Sequence, residues 1–69
     1  MPLTFADTNT KYTIKRLGGS PETKKHLENL GFVVGGDVSI VNVINGNLIV
    51  NVKEVRIALS KEMAQKITV

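Results

Sequence analysis

The sequence has no cysteine, no tryptophan and one histidine, His26, so a chain of 69 residues has neither a disulfide nor a sulfur-rich metal site to staple it. The same shortage excludes a cysteine nucleophile and leaves His26 as the sole imidazole for proton transfer. A serine or threonine nucleophile would still need a positioned base and an oxyanion site, and the six scattered Asp and Glu residues show no ligand spacing. The stretches GGSPETK and GFVVGGD match neither a P-loop nor a dinucleotide fingerprint. We therefore expect no enzymatic activity, no cofactor and no tight metal site, with His26 a surface residue of a helix. No apolar run approaches the roughly 20 residues of a membrane span, and the opening MPLTFADTNTKYT lacks the basic and apolar blocks of a secretory signal. The expectation is a soluble cytoplasmic protein, and the lack of cysteine is compatible with a reducing compartment.

What is present is a chain rich in β-branched residues with a mild positive charge of +3, from nine Lys and Arg against six Asp and Glu. Lys11, Lys15, Arg16, Lys24 and Lys25 fall within fifteen residues that contain one acid, Glu22. Such a cluster suits an acidic protein face, nucleic acid or an anionic lipid surface, and equally a solvated face that keeps a small domain soluble. No repeat, low-complexity run or linker divides the chain, so residues 1–69 are expected to form one domain. A core this small leaves a net stability of about 3–5 kcal/mol.

Along the chain, Thr8-Asn9-Thr10 suggest a turn, and residues 11–17 alternate, with Tyr12 and Ile14 on one face and Thr13 and Lys15 on the other, as a strand does. Gly18 and Gly19 end it. Ser20-Pro21-Glu22 then reads as a helix start: a capping hydroxyl, a proline at the first position and an acid in the first turn. Leu27 and Leu30 form the buried stripe of that helix, while Lys24, Lys25 and Glu28 stay solvated. Gly31 stops the helix after about nine residues by taking a left-handed conformation, and Phe32 and Val33 pack back on its last turn.

Gly35-Gly36 makes a second corner before a strand over Asp37–Ile44, with Val38 and Ile40 on one face and Val41 and Val43 on the other. The break in parity between Ile40 and Val41 fits a strand covered on both sides or one bent by a bulge. Asn45-Gly46 signals a type I′ hairpin, with a three-residue loop through Asn47 as the rival. Residues 48–52 return as a strand, Lys53-Glu54 turns, and residues 55–59 form another strand. Ser60 caps a helical turn over residues 61–66 that points Met63, Ala64 and Ile67 inward, and Ile67-Thr68-Val69 pairs with the first strand to hide two edges at once. The fold class is mostly β: a small SH3-like barrel of about five strands with one short inserted α-helix and a C-terminal helical turn.

The ordered set Thr13-Ile14-Lys15-Arg16-Leu17-Gly18-Gly19, His26-Leu27-Glu28-Asn29-Leu30-Gly31-Phe32, Gly35 with Asp37, Val38 and Ile40, Ile57-Ala58-Leu59-Ser60, and Ala64 with Ile67-Thr68-Val69 resembles the FeoA family from Leu3 onward. Its motif residues here are Leu27, Leu30, Gly31, Gly35, Ala58 and Leu59. The resemblance implies a cytoplasmic SH3-like barrel that assists bacterial uptake of ferrous iron by acting on the large membrane transporter FeoB, which carries a cytoplasmic GTP-binding domain. Similar modules end the iron-dependent repressors of the diphtheria-toxin-repressor type, but with no DNA-binding domain ahead of this one, a free-standing accessory protein is expected. Three positions depart from the pattern. Val34-Gly35 stands where Pro-Gly is usual, Lys53-Glu54 occupies a turn where glycine is common, and Lys24-Lys25-His26 fills a stretch where arginine is frequent.

The expected partner contact is Lys15, Arg16, Lys24 and Lys25, made to the transporter's cytoplasmic part, with the membrane reached only through that partner and edge strands leaving room for weak self-association. The rival reading is a small basic barrel that binds nucleic acid, which needs stacking aromatics. Only Phe5, Tyr12 and Phe32 are available, with Phe32 expected in the core and Tyr12 on an apolar face, so tight nucleic-acid binding is not expected.

Overall fold

Residues 11–17 do not run as one strand. They form β1 (Lys11–Thr13) and β2 (Arg16–Leu17), which lie in different sheets. The division falls at Ile14 and Lys15, whose N–H groups donate to the Gly36 and Thr68 carbonyls, each at 2.8 Å, so the chain changes partners within one residue. In the computed structural model, which describes residues 1–69, the later elements are α1 (Pro21–Leu30), β3 (Asp37–Ile44), β4 (Asn47–Val52), β5 (Val55–Ser60), α2 (Lys61–Ala64) and β6 (Ile67–Thr68), with a 3₁₀ turn at Leu3–Phe5 ahead of β1. One antiparallel sheet runs β1-β3-β4-β5, and β2 pairs with β6 in the other.

The C-terminus therefore closes on β2, the far half of the segment read as the first strand, and six strands stand where about five were expected. Its second side is also covered: Pro2 bridges Thr68, and Met1 and Val69 exchange backbone hydrogen bonds of 3.1 and 2.8 Å.

The larger sheet takes its register from two tight turns. Asn45 and Gly46 both have positive φ, 50° and 81°, and Ile44 pairs with Asn47, so the loop has two residues rather than three. Between Ile40 and Asn42 the register slips, leaving Val41 as the extra residue of a β-bulge. The slip turns Val43 onto the same face as its partner Leu48, although it lies at the rim and stays exposed.

Lys53 and Glu54 form the second turn with φ of 50° and 64°, a left-handed pair built without glycine. Each such residue costs on the order of 1 kcal/mol or more. Replacing the pair by Asn-Gly should therefore stabilise the chain by about 1–2 kcal/mol after the added chain entropy of glycine is subtracted. A thermal melt of Lys53→Asn, Glu54→Gly checks this, with a rise of several degrees expected and a fall refuting the strain argument.

The core is a single cluster of fourteen buried side chains, all apolar, drawn from both helices and from every strand except β1, whose Tyr12 packs against it half-buried. Leu27 and Phe32 are fully buried, Leu30 packs at the edge of the cluster, and Ala64 and Ile67 close it beneath α2. No buried side-chain polar atom lacks a partner. No helix is long and apolar enough to cross a membrane.

Candidate functional site

Gly31 ends α1 with φ 109°, and the Gly31 and Phe32 N–H groups donate back to Glu28 and Leu27. That paired cap sends the chain straight into a tight turn, in which Gly36 N–H donates to Val33 O at 2.9 Å and Gly35 has φ 87°. A positive φ at the third position is the signature of a type II turn, in which proline suits the second position held here by Val34. The turn is tied to the link between β1 and β2 because Gly35 N–H donates to Ile14 O at 2.8 Å. Val33 and Val34 are thus set beside Lys15, and Val34 is 64% exposed although nothing polar accompanies it on the turn.

The result is a shallow groove of about 510 Å³ between β2 and the end of α1, lined by Lys15, Arg16, Leu17, Lys24, Glu28, Val33 and Val34. Lys24 and Glu28 share one helix face because they are four residues apart. Neither Lys15, Arg16 nor Lys24 has a carboxylate within ion-pair distance. The single ion pair of the chain, Lys11 to Asp37 at 3.5 Å, lies in a second and smaller depression across β1, β3 and β4. Three cations against the one acid Glu28 leave the groove net positive around two valines, so it can attract an acidic partner and bury an apolar side chain in the same contact.

Of the four cations expected to act together, the structure joins Lys15, Arg16 and Lys24. Lys25 is exposed but outside the groove, since each helical residue turns the side chain by about 100° from its neighbour. Sequence reasoning missed Val33 and Val34 as groove residues. The position of Phe32 and Val33 just past the glycine stop suggests packing against the helix, which holds for Phe32, whereas Val33 is half-buried in the groove; Val34 carries no local signal and faces out. The groove holds no aromatic residue. Tyr12 packs against the core with its hydroxyl accepting from Asp7 N–H at 3.0 Å, which leaves Phe5, 75% exposed, as the one free aromatic face.

His26 is exposed on α1, and no three His, Cys, Asp or Glu side chains gather as a metal site would require. Arg56 and Ala58 have their side chains on the exposed face of β5, while Leu59 is buried.

A family model described as the FeoA domain matches residues 1–69. No curated protein matches the chain by sequence. Among solved structures, iron(II) transport protein A from Clostridium thermocellum superposes with TM-score 0.91 at 30% identity, covering 99% of this chain and 43% of that one. An iron uptake regulatory protein of the FeoA type gives TM-score 0.87 at 23% identity over 96% of this chain and 88% of the other. The zinc complex of Stenotrophomonas maltophilia FeoA, a prokaryotic SH3 domain protein, gives 0.84 at 24% identity over 99% and 87%. The fold is therefore the SH3-like barrel that the strand pattern suggested.

Proposed function

From the premise that this chain belongs to the FeoA family, whose members are accessories of bacterial ferrous iron transport, we propose that it binds the cytoplasmic part of a FeoB-type GTP-binding transporter and modulates transport or assembly. The protein acts in the cytoplasm as one non-catalytic module and meets the membrane through its partner. The contact is the groove of Lys15, Arg16 and Lys24 around Val33 and Val34, with Lys25 adding long-range attraction from its flank. The observation that carries this reading is the unpaired state of those three cations beside an exposed valine. An acidic surface would satisfy both features, and the attraction would speed encounter as well as hold the complex.

Titration of the isolated chain into the transporter's cytoplasmic domain tests it. The double variant Lys15→Glu, Lys24→Glu should bind about tenfold more weakly at moderate salt, and Lys25→Glu by itself should have a smaller effect. Binding unchanged by the double variant overturns the assignment of the groove.

A further inference from the structure

The sheet edges of this barrel are treated unequally. The free edge of β1 spans three residues, and the outer side of β6 is occupied by Pro2 and Met1. The far half of β3, which β1 does not reach, carries the Val41 bulge, and the Val43 N–H donates to the Asn42 side-chain oxygen at 2.8 Å. Those are the usual devices that keep an edge from recruiting another strand. β5 has six residues, pairs on one side only and has no bulge.

Because Val52 and Val55 flank a two-residue turn, they form a hydrogen-bonded pair, and the alternation places the backbone groups of Arg56 and Ala58 on the outer side. Neither residue makes a backbone hydrogen bond outside the pairing with β4, and neither enters a side-chain hydrogen bond. The core-side residues of this edge are Val55, 56% exposed, the half-buried Ile57 and the buried Leu59.

We propose that β5 is a self-pairing edge, at which two copies of the chain join antiparallel with Arg56 of each opposite Ala58 of the other. The sequence of β5 selects the second copy as occupant. In this register Ile57 meets Ile57 across the two-fold axis, and Val55 meets Leu59 at both ends, so apolar faces apolar throughout. Each Arg56–Ala58 pair exchanges both of its N–H···O bonds, which satisfies every outward group of the two residues. Sliding the strands to place Arg56 opposite Arg56 sets like charges face to face, which disfavours that alternative. The joined sheets would run continuously through both copies. The contact is far smaller than a standard interface of about 1,600 Å², so the dimer is weak, with a dissociation constant on the order of 0.1–1 mM.

Sedimentation equilibrium on the whole chain from about 20 μM to 2 mM, with three sequences, tests the pairing and its register. The Ala58 side chain is exposed, so a charge at that position leaves the fold intact, and circular dichroism confirms it for each variant. Ala58→Glu creates two Glu–Arg cross-strand pairs and should tighten the dimer roughly two- to thirtyfold, whereas Ala58→Arg sets Arg against Arg twice and should leave a monomer. Amide exchange at Arg56 and Ala58 should slow with concentration in the parent chain. A chain monomeric throughout the range overturns the proposal, as does any dimer whose constant does not shift in opposite directions with the two charges.

Discussion

Phe32→Ala is expected to leave the chain largely unfolded at room temperature. Phe32 is 0% exposed and heads the fully buried side chains by volume. Truncating a buried phenylalanine costs about 3–5 kcal/mol, made up of lost transfer energy and the cavity left behind. A domain of this size has a total of about 3–5 kcal/mol to lose. The site has little means of collapsing into the void, because Phe32 N–H is tied to Leu27 O at 2.9 Å and the next residues are locked in the Val33–Gly36 turn. Phe32→Leu keeps most of the volume and should retain a cooperative melt at lower temperature. Circular dichroism melts of the two variants check the claim, and an alanine variant melting within a few degrees of the parent would contradict it. The groove depends on the same residue, since Phe32 anchors the turn that carries Val33 and Val34, so weaker partner binding in Phe32→Leu is expected as well.

The parts of the fold that were legible in the sequence are those decided by local chemistry. Ser20 accepts a hydrogen bond from Thr23 N–H, Pro21 sits at the first helical position and Gly31 is left-handed, so both ends of α1 could be read from single residues. Asn45-Gly46 fixed its hairpin for the same reason. Ser60 accepts from Met63 N–H and starts α2, which then ends at Ala64, short of the turn expected through residue 66. What escaped depends on partners distant in sequence. Nothing within residues 11–17 shows that Ile14 is claimed by Gly36 and Lys15 by Thr68; the only local trace of the division is the adjacent exposed pair Lys15-Arg16 ahead of buried Leu17, which breaks the alternation without naming the partners. The parity break at Ile40-Val41 did announce a fault in β3, but only the register against Val50 and Ile49 distinguishes a bulge from a doubly covered strand.

The site was legible to the same degree. Clustered cations pointed to Lys15, Arg16 and Lys24, and the helical repeat alone separates Lys24 from Lys25. The outward aim of Val34 was not readable, because it follows from a type II turn anchored on Ile14.

Gly31→Val should lower stability by about 2–3 kcal/mol, without any steric clash to account for it. An ideal Cβ at Gly31 would meet its nearest atoms, on Lys53 and Val52, at 3.6 to 3.8 Å, which is ordinary contact. The cost comes from the backbone: φ is 109°, a value that a β-branched residue reaches only under strain. Relaxing φ would break the two cap hydrogen bonds to Glu28 and Leu27 and draw Phe32 out of the core, so the chain is held between strain and unpacking. Gly31→Asn separates the two sources, since asparagine tolerates left-handed geometry far better than valine while adding a similar volume at Cβ. The expected order of melting temperatures is glycine, then asparagine, then valine. For a domain of 60–100 residues each kcal/mol lowers the midpoint by roughly 4–8 °C, so valine should fall by about ten degrees or more. Equal losses for asparagine and valine would point instead to crowding against Val52 and Lys53, and an unchanged midpoint for valine would remove the left-handed cap as a determinant of this fold.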